Sequence, residues 1–216
     1  MVYNDESLCS GTLISPRVFL TAAHCTDKFF EDGNSRVYVT FEQRADFRPD
    51  DAYVGTPHTH PRYDGLFPDV GVVVLKEVVR TGAGYGKLPE ANLVETLERG
   101  QNLTVVGYGT RDFETGGGPQ EPTGFATRYK GTVEYLGTNG VNNSFAEDGY
   151  IKTREASAGE GGEGTCFGDS GGPYLLPGQT TVVAVTSFGT NPRCAGVGYA
   201  QRVDLPKVLN WLEEFL

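Results

Sequence analysis

Apolar residues along this chain gather in short runs set off by Gly, Pro and Asn/Asp: Val37 to Phe41, Val70 to Leu75, Leu103 to Tyr108, Arg128 to Tyr135, Thr180 to Ser187 and Gly198 to Val203. Runs of this length read as β-strands, because branched and aromatic side chains pack well on a pleated surface while Gly and Pro end it. Together they predict an all-β sandwich or barrel. After the last run the period changes. Asp204-Leu205-Pro206 is followed by Val208, Leu209, Trp211, Leu212, Phe215 and Leu216 at spacings of three and four, the pattern of one amphipathic helix packed on the β core. The Gly-rich stretches Thr115 to Gly124 and Gly159 to Gly164 carry no periodicity and read as surface loops, the first being the candidate linker between two halves. Gly116-Gly117-Gly118 is not read as a phosphate loop, since neither Lys-Ser/Thr nor a helical pattern follows it.

Composition narrows the classes. The 216 residues are 38% hydrophobic and 21% charged, enough apolar material for a sizeable core in one compact unit. With 18 basic against 28 acidic side chains the net charge is −10, which leaves no basic footprint for a nucleic acid. The longest apolar run, near Val70 to Leu75, is strand-sized and far short of the ~20 residues that cross a bilayer. Neither a nucleic acid nor a membrane is expected as a partner.

Four Cys allow three disulfide connectivities or one four-ligand metal site. Cys9 and Cys25 lie 16 residues apart and Cys166 and Cys194 lie 28 apart, with no C-x-x-C pair to hold a tetrahedral ion, so two local disulfides are favoured over zinc. Such bonds persist in oxidising compartments, and secretion is the expectation. The opening Met1-Val2-Tyr3-Asn4-Asp5-Glu6 has neither the basic region nor the apolar run of a signal peptide, so the chain is read as a partial or processed form. His58-Thr59-His60 could set two imidazoles on one strand face as a metal pair, but with no third ligand suggested nearby a loop position is preferred and no metal is expected.

Three segments carry candidate chemistry: Thr21-Ala22-Ala23-His24-Cys25, Pro68-Asp69-Val70-Gly71-Val72-Val73-Val74-Leu75 and Cys166-Phe167-Gly168-Asp169-Ser170-Gly171-Gly172-Pro173. A serine hydroxyl is a poor nucleophile near neutral pH and needs an adjacent base. An imidazole, with an ordinary pKa near ~6.5, can take its proton and later return it, and a carboxylate can hold the other ring nitrogen. The segments occur in the order His, Asp, Ser, with separations of 45 and 101 positions between the three residues. In that order and context they resemble the trypsin and chymotrypsin family of serine proteases. Cys9-Ser10-Gly11-Thr12-Leu13-Ile14, His60-Pro61-Arg62-Tyr63-Asp64 and Val106-Gly107-Tyr108-Gly109 look like further family segments, so the resemblance covers nearly the whole chain.

The resemblance implies two six-stranded antiparallel β-barrels, about residues 1–100 and 101–216, with the active site between them and a C-terminal α-helix closing the fold. It implies a secreted serine endopeptidase, probed by polypeptide substrates and protein protease inhibitors, monomeric and without a cofactor. Ser170 would be the nucleophile, His24 the general base and acid, Asp69 the group that orients it, and the amides of Gly168 and Ser170 the oxyanion hole. Gly171 and Gly172 are read as a tight turn with close backbone packing, and Cys9, Cys25, Cys166 and Cys194 as structural pairs.

By the family's pattern the residue six before the nucleophile, here Gly164, forms the base of the specificity pocket, with Ser187-Phe188-Gly189 as one wall and Gly198 near the other. Glycine at the base makes cleavage after Arg or Lys doubtful. An open, uncharged slot would favour a large apolar side chain by burial, worth roughly 2 to 3 kcal/mol over a small one. Glu160 and Glu163 lie close in sequence, and Glu163 at the pocket base would reverse that preference; Arg193 stands near the rim. The chain also departs from the family before Cys9, where the segment opening on an Ile/Val-Val-Gly-Gly sequence is not found, leaving Asp169 without its family partner. A zymogen-like form or a non-catalytic binding homologue of the same fold is therefore the alternative, and an esterase using the same triad a third reading.

Overall fold

The computed structural model describes residues 1–3, 8–31, 37–45, 52–113, 122–139, 148–156 and 163–216. In the first half lie β1 (Val2–Tyr3), β2 (Leu8–Cys9), β3 (Thr12–Leu13), β4 (Val18–Thr21), helix α1 (Ala23–Glu31), β5 (Val37–Val39), β6 (Tyr53–Thr59) and β7 (Gly71–Leu75). The strands pair in one seven-stranded antiparallel sheet of order β2-β1-β5-β6-β7-β4-β3. Its two edge strands are consecutive in the chain, joined only by Ser10-Gly11. Three peptide steps span at most about 10 Å, so the sheet has to roll until its edges nearly meet. This rolled sheet stands where the first six-stranded barrel was expected.

The second half supplies β8 (Asn102–Gly107), the short pair β9 (Asp112–Phe113) and β10 (Pro122–Thr123), β11 (Tyr129–Asn139), β12 (Tyr150–Glu155), β13 (Pro173–Leu175), β14 (Val182–Gly189), β15 (Gly196–Arg202) and helix α2 (Pro206–Glu213). Six of these strands close into a barrel, β11-β12-β15-β14-β13-β8. The Gly-rich stretch expected to link the halves lies between β8 and β11, which are paired neighbours in this barrel, so it is no linker; its residues 114–121 fall outside the described residues. The halves are joined instead by residues 76–101, which include a 3₁₀ turn at Leu93–Thr96.

Side chains alternate across a strand, and β4 and β7 use that alternation to serve two cores. Phe19, Val73 and Leu75 point into the rolled sheet with Val37 and Val39. Val18, Leu20, Val70 and Val72 face the other way, against Val182, Val185 and Val203 of the second half and Val208, Trp211 and Leu212 of α2. Each such side chain contributes roughly 1.5–3 kcal/mol on burial, so the helix pins the two halves together. Asp204, wholly buried, pairs with the Arg202 guanidinium at 2.9 Å and accepts the Val94 N–H at 2.8 Å, tying the start of that helix to the connection between halves.

His58 is a strand residue, contrary to the loop expected for it. Its ring lies 5.2 Å from that of Phe215, and the His60 ring 4.9 Å from Trp211. The two imidazoles do share a face, but that face is covered by α2 and the residues after it, and burial lowers both pKa values. Among the described residues no helix is long and apolar enough to cross a membrane.

Candidate active site

The β4–β7 register brings the first two candidate residues together. Thr21 at the end of β4 stands opposite Gly71 at the start of β7, so in this antiparallel pair the residues just past Thr21 face those just before Gly71. His24 in the first turn of α1 thereby meets Asp69. Gly71 makes room for the helix: a Cβ there would lie 2.4 Å from Thr26 Oγ1 and 2.9 Å from the Ala22 carbonyl oxygen.

Asp69, 2% exposed, accepts the His24 main-chain N–H through Oδ1 at 2.9 Å. Its Oδ2 lies 2.8 Å from His24 Nδ1 and accepts the Ser187 hydroxyl at 2.5 Å. The Asp69 N–H donates to Gln201 Oε1 at 2.9 Å. Ser187, placed in a pocket wall by sequence, thus reaches the carboxylate with its side chain. Burial lowers the His24 pKa, but the hydrogen bond and charge of Asp69 outweigh it and the net shift is upward. A third of the His24 side chain remains exposed, leaving the ring open to a reactant.

Ser170 sits in a loop held on three sides. The Cys166–Cys194 disulfide closes it from the second half, and the Cys9–Cys25 disulfide fixes the segment beside His24, so both local pairings form. The Ser170 carbonyl accepts the Ser10 N–H at 2.8 Å and lies 3.9 Å from Cys25 Sγ. Gly168 and Gly171 adopt φ of +92° and +77°, a region that favours glycine. A Cβ on Gly171 would stand 2.1 Å from Thr21 Oγ1 and 2.6 Å from the Ala22 nitrogen, so the loop packs directly on the residues that precede His24. Among the described residues neither the Gly168 nor the Ser170 N–H has an acceptor, and no hydrogen bond joins Ser170 Oγ to the His24 ring.

Asp169 is buried beneath this loop. Its carboxylate accepts the Gly109 N–H and the Cys166 N–H, each at 2.9 Å. Burial raises its pKa to about 6, and among the described residues no cation pairs with it.

Beside Ser170 opens a cavity of about 440 Å³ whose walls include Phe188, Gly189, Val197 and Gly198. Phe188 stacks on Tyr199 with centroids 4.8 Å apart, which fixes that wall. The base differs from the sequence expectation. Gly164 does not line this cavity; it lies behind Glu155, whose Oε2 would be 2.6 Å from a Cβ at that position. Glu163 points elsewhere, accepting the Thr132 N–H in an adjoining cavity, Arg193 is exposed and off the lining, and Glu160 falls outside the described residues. The acidic group that does line the cavity is Glu155, at the end of β12, so the slot is not the uncharged one expected. Sequence reasoning missed it because Glu155 is 15 residues from Ser170 and reaches the cavity only through the β12–β15 pairing, which sets it beside Gly196. Among the described residues, Cys9, His24 and Cys25 have metal-ligand proximity, but both sulfurs are joined in a disulfide.

A rolled sheet and a closed barrel with a His–Asp pair and the Ser170 loop between them define the fold class of the β-barrel serine proteases. A family model described as Trypsin matches residues 1–212, and the chain belongs to that family. It is 30% identical over 187 residues to a protein named Trypsin from Simulium vittatum, covering 84% of this chain and 70% of that one. It is 28% identical over 201 residues to "Inactive snake venom serine proteinase 13" from Crotalus adamanteus, covering 90% and 71%. The solved structure of HL collagenase superposes with a TM-score of 0.70 at 20% identity over 95% of this chain and 85% of that one, a likeness of fold.

Proposed function

We propose that the protein is a secreted serine endopeptidase that hydrolyses peptide bonds through an acyl-enzyme. The observation that carries this reading is the buried Asp69 carboxylate, which takes Ser187 Oγ–H, His24 N–H and His24 Nδ1 at 2.5 to 2.9 Å and so directs Nε2 outward as a base. Ser170 Oγ attacks the scissile carbonyl carbon as His24 Nε2 takes its proton. The oxyanion is met by the Gly168 and Ser170 amides, which have no other acceptor among the described residues. His24 then gives the proton to the leaving amine, and water repeats the sequence to release the acid. No cofactor enters these steps. The two disulfides favour an extracellular site of action, where polypeptide substrates and protein inhibitors would meet a monomer. The cavity's Phe188, Val197 and glycine walls suit a side chain with a long apolar body.

A second reading is a non-catalytic member of the family. It is favoured by Asp169, a buried carboxylate beneath the nucleophile loop with no cationic partner among the described residues, and by the inactive relative. Intact-protein mass after treatment with a fluorophosphonate separates the two. A single adduct mapped to Ser170 and absent from Ser170→Ala is expected for the peptidase; no adduct on a folded, disulfide-bonded chain assigns the protein to the second reading.

A further inference from the structure

Ser10, in the two-residue link between β2 and β3, is 1% exposed, and all its polar atoms are engaged. Its hydroxyl accepts the Tyr108 N–H at 2.9 Å and donates to the Gly168 carbonyl at 2.9 Å. The direction is fixed, because a main-chain amide only donates and a carbonyl only accepts. The Ser10 N–H donates to the Ser170 carbonyl and the Ser10 carbonyl accepts the Thr21 hydroxyl, both at 2.8 Å. Glycines make the room. A Cβ on Gly172 would lie 3.2 Å from the Ser10 Cβ, one on Gly107 3.2 Å from Ser10 Oγ, and one on Gly171 2.8 Å from the Ser10 carbonyl oxygen. A residue of the first half thus grips the Ser170 loop of the second.

Five consecutive carbonyls of that loop have donors. The Cys166 carbonyl takes the Asp169 N–H at 2.9 Å, Phe167 the Thr110 N–H, Asp169 the Gly172 N–H and Ser170 the Ser10 N–H, each at 2.8 Å. Those four donors are main-chain amides, which almost any sequence supplies. The Gly168 carbonyl alone depends on a side chain, and among the described residues it has no donor but Ser10 Oγ. A peptide plane is rigid, so the Gly168 N–H points opposite the Phe167 carbonyl and the Ser170 N–H opposite the Asp169 carbonyl. Whether the two amides converge on one point is set by the plane between them, whose carbonyl Ser10 holds. Gly168, at φ +92°, offers no Cβ to resist rotation of that plane.

Resting on the peptidase reading above, we propose that Ser10 is a positioning residue of the oxyanion hole, its hydroxyl locking the Gly168–Asp169 peptide so that the Gly168 and Ser170 amides meet the same oxygen. The Asp169 carboxylate is not part of this hold, since its oxygens take the Gly109 and Cys166 amides. Ser10→Ala strips both the Gly168 carbonyl and the Tyr108 N–H of their partner in a place closed to water, and the carbonyl turns to find another donor. The loss falls on the transition state, where the oxyanion forms, and not on substrate binding.

The test compares wild type and Ser10→Ala in kcat and KM on a peptide amide, and in the rate of fluorophosphonate labelling. Removing a whole oxyanion donor costs roughly 10²–10³ in kcat, so mispositioning one should lower kcat and the labelling rate at least about tenfold. KM should stay within about twofold and the midpoint of the pH limb should not move, because the His24–Asp69 pair is untouched. A lower urea midpoint with undiminished kcat in the folded enzyme is the mark of a merely structural role and overturns the inference, as does a fall carried by KM. Should Ser10→Ala not fold, the crystal structure of the labelled wild type decides. There the phosphonyl oxygen is expected within hydrogen-bond distance of both amides with Ser10 Oγ still on the Gly168 carbonyl; a Gly168 carbonyl released from Ser10 overturns the inference. Equal labelling of wild type and folded Ser10→Ala overturns this inference and leaves the peptidase reading standing, whereas a wild type that takes no label overturns that reading and this inference with it.

Discussion

Replacing Asp69 by Asn probes the site most directly, because it preserves shape and removes charge. The carboxylate accepts three hydrogen bonds, from the His24 main chain at 2.9 Å, the His24 ring at 2.8 Å and Ser187 at 2.5 Å. An Asn can accept on one side only; with its NH₂ toward the ring, Nδ1 must become the acceptor and the ring proton moves to Nε2, where it blocks transfer from Ser170. In the transition state the ring is charged, and at about 4 Å between charge centres with an effective dielectric near 20 the lost attraction is roughly 4 kcal/mol. That is about 10³-fold in rate, and the wrong tautomer brings it toward 10⁴-fold. The pH limb moves as well. Asp69 is what raises His24 above 6.5; burial and Lys28 both lower it, so activity, which needs neutral imidazole, should rise with a midpoint above 6.5 in the wild type and below 6.5 in Asp69→Asn. The assay is kcat/KM on a peptide ester between pH 5 and 9, with the fluorophosphonate modification rate as a second readout. A loss smaller than tenfold, or a limb that fails to move down, would refute the reasoning.

Ser187→Ala removes the donor at 2.5 Å from the buried Asp69 Oδ2 and should cost about 1.5–3 kcal/mol of stability, read as a drop in urea midpoint. Gly171→Ala forces a side chain into φ +77° and against Thr21 and Ala22; about 3 kcal/mol or more should be lost, and soluble yield with circular dichroism checks it. Asp169 is raised from 3.8 to about 6 in the fold, so its contribution to stability is fully present below 3.8 and is lost as pH rises through about 6, a decline of about 3 kcal/mol. Denaturation of wild type and Asp169→Asn at pH 4 and pH 7 should show that slope in the first and its loss in the second. Exchanging Cys9 and Cys25 together for Ala removes a 16-residue closure beside His24 and should lower stability by roughly 3 kcal/mol, with Ser170 labelling falling in parallel.

Much of this molecule was legible from the order of its residues. Each of the six apolar runs coincides with or overlaps a strand, namely β5, β7, β8, β11, β14 and β15, because a strand-length run of branched and aromatic residues bounded by Gly, Pro and Asn/Asp is a local property that the chain writes directly. The C-terminal helix follows from Pro206 and its three-and-four spacing, and both local disulfides from Cys separation. Helix α1 escaped notice because Ala-His-Cys-Thr-Asp-Lys carries no apolar stripe; packing on β6 and β7 holds it.

What tertiary structure decided is what depends on register and on rolling of the sheets. His24 and Asp69 were both marked by sequence, but their shared hydrogen bonds exist because Thr21 pairs with Gly71, and a slip of one residue would turn every side chain to the other face. Ser187 joining Asp69 follows from the packing of the closed barrel against the rolled sheet, and Glu155 rather than Gly164 or Glu163 standing in the cavity follows from which strands are neighbours in that barrel. Local sequence determines whether a residue is in a strand and which face it takes; it carries no term for the residue a hundred positions away that the barrel sets against it.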